Sequence, residues 1–171
     1  AVLGFMVIVA LVGGGARPAG SATFPPAGAT TGPAGGAVVA TRGDVARALS
    51  AQGLQSEDST RPYRPAEAPG FATAPRILLR AILPDDPDHG LIVIYEFSSP
   101  GAANSAAEEQ AAYIASGVGS VQFPLDSRYV IRVVGSTAVF FAWSPANAPA
   151  PRTPSIGTAL ETVGLGVPVP N

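Results

Sequence analysis

The chain has 171 residues, a length that suits one domain with appendages, and its apolar fraction of 47% is typical of a globular core. Its net charge of −2 lacks the basic excess of a nucleic-acid binder, so we predict no nucleic-acid partner. With no cysteine, one histidine and one methionine, the composition excludes disulfides and iron–sulfur clusters and argues against protein-held haem or blue copper. We therefore predict that the chain carries no cofactor.

The N-terminal segment from Ala1 to Ala16 contains no polar residue and is followed by Arg17. As a helix it would extend roughly 24 Å, short of the ~30 Å hydrocarbon core, so we expect the apolar segment to begin upstream of Ala1. Two interpretations stay open: a retained membrane anchor, or the apolar part of a cleaved signal peptide with Gly20 and Ala22 before the cut. We favour the anchor, because a removed signal would be absent from the mature chain.

Residues 17–40 are rich in Pro, Gly, Ala and Thr and too poor in large apolar groups to fold alone, which predicts a tether. We expect the folded domain over residues 41–166 and a proline-bearing tail over residues 167–171. The first helix is predicted to start at a capping box from Thr41 to Asp44 and to end before Gly53. Residues 55–75 are predicted to form an irregular connection.

Two hairpins dominate the rest of the domain. The segments from Pro75 to Leu83 and from Leu91 to Phe97 are predicted strands separated by a turn. The second hairpin runs from Tyr129 to Trp143 around Gly135-Ser136, because a glycine-first pair suits a two-residue type II′ turn. In this register both faces of the hairpin are apolar, so the sheet needs cover on both sides, either from the domain's own helices or from another protein.

Further helices are predicted after each hairpin. Ser99 is placed as an N-cap with Pro100 in the first turn, and Thr153-Pro154 starts a last helix that Gly164 ends. The resulting order is helix, hairpin, helix, hairpin, helix. It predicts an α+β fold, an antiparallel four-stranded sheet from two hairpins with helices packed mainly on one face, preceded by an N-terminal apolar helix.

This pattern resembles small uncharacterised bacterial extracytoplasmic and lipoprotein-like proteins with no known activity. The segments that carry the resemblance are Val45 to Leu54, Gly90 to Phe97, the alanine-rich helix, Tyr129 to Phe141 and Ala159 to Gly164. These segments form the fold rather than a site, so the resemblance implies an α+β fold and an envelope location and supplies no active-site residue. The chain departs from the lipoprotein pattern because it has no lipobox cysteine.

The turn from Asp85 to Gly90 holds the only cluster with metal-ligand chemistry, namely Asp86, Asp88 and His89. Asp, Pro and Gly are residues that build turns, and an EF-hand loop would need a glutamate where Phe97 stands. We therefore expect a solvated turn and predict no metal site.

Other polar residues also fail to form a catalytic pattern. Glu108 and Glu109 are adjacent on a helix and point in different directions, and no serine has a placed histidine partner. We therefore predict that the protein is not an enzyme.

The arginines and aromatic residues of the two hairpins allow two interpretations. One interpretation is a set of exposed cross-strand ion pairs of small energy. The other is a partner-binding patch rimmed by arginine, because Arg and aromatic residues are frequent interface anchors. Its members would be Arg76, Arg80, Arg132, Phe141 and Trp143.

These observations together favour a non-catalytic, membrane-tethered envelope protein with an extracytoplasmic domain. We expect it to be an accessory subunit that binds other protein subunits of a membrane assembly, with residues 1–16 in the membrane. The alternative is a secreted or anchored module that binds a small ligand.

Overall fold

The computed structural model describes residues 35–170, which contain five helices and six strands. In chain order they are α1 (Gly36–Ala51), β1 (Ser56–Asp58), α2 (Pro69–Thr73), β2 (Arg76–Ala81), β3 (Leu91–Glu96), α3 (Pro100–Ala115), α4 (Gly117–Ser120), β4 (Arg128–Val134), β5 (Thr137–Trp143), α5 (Thr153–Glu161) and β6 (Leu165–Gly166). The predicted anchor lies outside the described residues. Within residues 35–170, no helix combines the length and apolar character needed to cross a membrane.

The strands form one antiparallel sheet in the order β1-β2-β3-β5-β4-β6. This confirms the α+β class and the antiparallel sheet, and it corrects the strand number from four to six. The two extra strands are short, lie at the edges and are mostly exposed. They pair through backbone groups and have no apolar alternation, which is why the sequence pattern did not reveal them.

Helices cover both faces of the sheet, so the expectation of helices mainly on one face is wrong. We call the two sides the α1/α5 face and the α2/α3 face. The α1/α5 face includes buried Ile92, Val139 and Phe141, and the α2/α3 face includes buried Val93 and Phe140. The physical reason is that β3 and β5 are apolar on both sides, and burying only one side would leave the other in water.

The β4–β5 hairpin has the predicted register. Val134 pairs with Thr137, and Gly135 has a φ of 55°, the positive value that the first position of a type II′ turn requires. Val130 and Ile131 accordingly fall into different core clusters. The cover that both faces need comes from the domain's own helices.

Helix α1 begins at Gly36, earlier than the predicted capping box. Thr41 is buried inside the helix, where its hydroxyl lies 2.8 Å from the hydroxyl of Thr137, and Asp44 pairs with Arg47. The helix starts earlier because Val38 belongs to the same buried stripe. Its predicted end is confirmed, since Gly53 has a φ of 68° and donates to the Ser50 carbonyl at 2.8 Å.

Helix α3 starts as predicted, because the Ser99 hydroxyl accepts a hydrogen bond from the Ala102 N–H and Pro100 occupies the first turn. Its buried residues are mostly alanines, which let the helix approach the sheet closely. Ser116 then caps the short helix α4 in the same way, accepting from the Gly119 N–H at 3.1 Å.

Candidate functional site

The β2–β3 loop is a turn, as predicted. Contrary to our expectation, it is not fully solvated. Asp86 is 4% exposed, and one of its oxygens lies 2.5 Å from Nδ1 of His89, while the other has no hydrogen-bond partner among the described residues. Asp88 instead pairs with Arg61. Within residues 35–170 no three His, Asp or Glu side chains converge closely enough to hold a metal ion.

The five residues of the predicted partner-binding patch do not share a surface. Arg76 and Arg80 lie on the strand positions that alternate with buried Leu79, and Leu79 belongs to the α1/α5 face. They therefore lie on the α2/α3 side. Arg132 alternates with Ile131 and Val133 and lies on the opposite side. Each of these three guanidinium groups already has a partner inside the domain.

The partners of these arginines are carboxylates or carbonyls. Arg76 pairs with Glu67, and Arg80 pairs with Glu57. Arg132 donates to the carbonyls of Val163 and Gly164 at 2.6 and 2.7 Å. These carbonyls follow the C-terminus of α5, where the negative end of the helix dipole also attracts a cation.

The aromatic members of the predicted patch are covered by α5. Phe141 is 1% exposed, and Trp143 stacks on it with ring centroids 5.1 Å apart. A Cβ atom at Gly157 would lie only 3.0 Å from the Trp143 ring, so α5 packs directly against it. This face is therefore part of the core and is covered by the domain's own helices, one of the two kinds of cover that the sequence left open. Trp143 is half-buried and keeps one side open.

A buried charged cluster that the sequence did not reveal lies on the α2/α3 side. The side chain of Glu67 is 2% exposed, pairs with Arg64 and Arg76, and accepts a hydrogen bond from the Tyr95 hydroxyl at 2.6 Å. Burial and the adjacent Glu67 charge raise the pKa of Tyr95 well above its ordinary value. We assign this cluster a structural role, because it anchors the connection before α2 to β2 and β3.

The feature best suited to binding is a groove of about 730 Å³ at the end of the sheet where β4 begins and β5 ends. We call it the end groove. Its lining includes Leu125, Arg128, Tyr129, Trp143 and Glu161, together with a set of prolines, namely Pro124, Pro145, Pro154, Pro168 and Pro170. Asp126 holds the segment before β4 in place by accepting from the Ser144 hydroxyl at 2.6 Å and the Ala146 N–H at 2.7 Å. These bonds lower the pKa of Asp126.

Three aliphatic side chains near the end groove in sequence are exposed, and one of them, Leu125, lines the groove. Val118 is 70% exposed, Val121 is 74% exposed and Leu125 is fully exposed. All three lie in the connection between α3 and β4. The signal that could have identified this region is the absence of any charged residue over positions 116–125, a stretch that is too short and glycine-rich to be another core helix.

Several polar groups of the end groove have no partner among residues 35–170. The side chain of every other arginine in this range donates to a carboxylate or a carbonyl. The Arg128 guanidinium makes no hydrogen bond or ion pair, although its charge acts on Asp126. Three further side chains of the lining make no hydrogen bond or ion pair within this range, namely those of Tyr129, Trp143 and Glu161. The end groove thus combines apolar residues with a few polar side chains that have no hydrogen-bond partner among residues 35–170.

Comparison with known proteins gives no relative from which a function could be transferred: no protein-family model, curated protein or solved structure matches the chain.

Proposed function

We propose that this protein is a non-catalytic interaction module whose end groove docks a partner protein. In this proposal the chain is an accessory subunit of a larger membrane assembly in the cell envelope, held there by residues 1–16. The observation that carries the proposal is the end groove with the exposed Leu125 in its lining, together with the exposed Val118 and Val121 a few residues earlier in the chain. Clustered apolar groups of this kind mark interaction sites on soluble domains.

The position of the groove supports a docking role. The Gly35 N–H donates to the carboxylate of Glu96. Glu96 is the strand partner of Thr137, which lies at the turn end of the β4–β5 hairpin. The end groove lies at the other end of that hairpin, where Arg128 pairs with Trp143. A seven-residue strand spans roughly 23 Å, so the tether enters the domain well away from the groove. A domain tethered at one end can present the other end to a partner.

The test is co-migration with a large complex after mild solubilisation of native membranes. We expect the double variant Val121→Asp and Leu125→Asp to lose about tenfold or more of the complexed fraction, because each charge would have to be desolvated at the interface. The melting temperature of the domain should not change, since both side chains are exposed.

Val39→Asp is the matched control, because Val39 is an exposed valine in the first turn of α1 and lies away from the groove. It should assemble like the wild type. The docking proposal fails if the groove variant assembles normally, or if both variants lose assembly equally.

The groove volume also favours a second candidate, a module that binds a small ligand. A volume of about 730 Å³ lies within the range of ligand sites, and the lining mixes aromatic rings with a few polar groups. A native protein that migrates as a lone domain, with a co-purified small molecule seen in its native mass spectrum, would favour this candidate over the subunit.

A further inference from the structure

We infer that the segment after β6, residues 167–170, is a strap that closes the end groove by pairing with the start of β4. This inference adds a means of regulation to the proposed docking function and rests on that function for its consequence. It depends on three observations: the free backbone groups of β4, the register of β6, and the positions of the prolines in the strap.

The first observation is that one residue of β4 has free backbone groups beside the groove. The Ile131 carbonyl accepts a hydrogen bond from the Val167 N–H at 3.0 Å, so the backbone groups of Ile131 face β6. Alternate residues of a strand direct their N–H and C=O groups to the same side, so those of Tyr129 face this side as well. Among residues 35–170 neither backbone group of Tyr129 has a hydrogen-bond partner. The edge of β4 is thus unpaired at Tyr129, which lines the end groove.

The second observation is that the register of β6 directs the strap to this free edge. Arg132 pairs with Gly166, and the bond from Val167 continues the same antiparallel register by one residue. Two residues further along, this register places Val169 opposite Tyr129. Both side chains already pack against the core on the α2/α3 face, as expected for residues that lie opposite each other on paired strands. In this structure they do so without a backbone hydrogen bond between them.

The third observation is that the prolines of the strap lie where the ladder needs no donor. Because Val167 directs its N–H toward β4, an extended strap directs the N–H of Val169 the same way and places Pro168 and Pro170 at the outward positions. Proline is tolerated at outward positions of an edge strand, because the N–H that it lacks would face solvent. Val169 can therefore pair with Tyr129 without the loss of a hydrogen-bond donor.

Pairing would change the groove, because the strap forms part of its lining. Tyr129 and all four residues of the strap line the volume of about 730 Å³. Hydrogen bonds exchanged between Val169 and Tyr129 would draw the strap against β4 and narrow the space between them. The open groove and the paired strap are thus two arrangements of the same residues, and a partner that docks in the groove selects the open one.

The experiment measures hydrogen exchange at single amides of the full chain in detergent micelles by NMR. We expect the Tyr129 amide to exchange at least about tenfold more slowly than an unstructured amide, because it is hydrogen-bonded in the paired arrangement. Val169→Pro removes one of the two hydrogen bonds and should reduce this protection about threefold or more.

Val169→Ala is the matched control, because it also changes the side chain but keeps the N–H, and it should retain most of the protection. The Val130 amide faces β5 and should stay protected in every variant, which checks that the sheet is folded. The inference is overturned if the Tyr129 amide exchanges like an unstructured amide, or if Val169→Pro protects it as well as Val169→Ala does.

A second measurement tests the consequence for docking. Under solubilisation that dissociates about half of the wild-type complex, Val169→Pro should tighten docking about threefold, because more of the protein has an open groove. A lower complexed fraction than in the wild type would overturn the closing role. If Val121→Asp with Leu125→Asp assembles normally while Tyr129 protection still depends on the Val169 N–H, the strap stands and docking at the groove is rejected.

Discussion

Glu67 illustrates how one buried charge organises residues that are distant in the sequence. Arg64 comes from the same connection, Arg76 from β2 and Tyr95 from β3, and all of them bond to its carboxylate. A buried carboxylate is tolerated only when it is paired and hydrogen-bonded. Nothing in the local sequence around Glu67 signals this, because the partners become neighbours only after the sheet forms.

The two tyrosines near Glu67, Tyr63 and Tyr95, lead to a prediction about the stability of the fold at alkaline pH. Burial, followed by the charge of Glu67, raises the pKa of Tyr63 and of Tyr95, so the folded state keeps both phenols protonated when the unfolded chain has begun to release protons. Their contribution to stability is complete below about pH 10 and is lost as the pH rises through the folded values. We expect the urea midpoint to start to fall near about pH 10 and to keep falling at higher pH.

The variant Tyr95→Phe should show a smaller alkaline decrease, because one of the two raised groups is gone. At neutral pH it should be less stable by about 2 kcal/mol, since the hydroxyl donates to a charged carboxylate. The test is to measure the urea midpoint of the variant and of the wild type as the pH rises from neutral to above about 10. An alkaline slope identical to that of the wild type would show that Tyr95 does not contribute.

At the scale of elements, the long periodic segments were predictable and the edge elements were not. The turn at Gly135-Ser136, the N-cap Ser99 and the helix end at Gly53 follow from local chemistry that their own residues carry. Strands β1 and β6 depend on pairing with β2 and β4, and neither has an alternating pattern of its own. The capping-box prediction failed for the same reason, since the position of Val38 in the core determined where α1 begins.

The segment after β6 makes a prediction about the sheet edge. Val167 and Val169 pack against the α2/α3 cluster, while Pro168 and Pro170 alternate with them and are exposed. Prolines at outward positions of an edge segment deny an incoming strand its N–H donors. We expect the double variant Pro168→Thr and Pro170→Thr to self-associate, as seen by sedimentation velocity at rising concentration.

A variant with Thr at Pro149 and Pro151, outside the sheet, serves as the control and should stay monomeric wherever the wild type does. If the edge variant also remains monomeric, these prolines do not protect the edge.

At the scale of the whole molecule, the sandwich of two helical layers around one sheet gives the domain two distinct ends. The sequence predicted that both sheet faces need cover, but it left open whether the domain's own elements or a partner would cover the face with Phe141 and Trp143, which α1 and α5 cover. Of the predicted patch, Phe141 therefore lies in the core. The end groove could not be predicted, because it joins the α3–β4 connection, the end of α5 and the C-terminal residues, which meet only in three dimensions.

The separation of the two ends leads to a prediction about orientation in the native assembly. The chain has no cysteine, so a single introduced cysteine can carry a photo-crosslinker without a background from other thiols. We expect the variant Leu125→Cys, at the groove end, to give a discrete protein–protein adduct in native membranes. Val39→Cys, near the start of α1 at the tether end, should give much less of that adduct, because a tethered domain with its partner at the groove end keeps this residue away from the interface. Gel electrophoresis of the irradiated membranes makes the comparison, and a stronger adduct from Val39→Cys would reverse the proposed orientation.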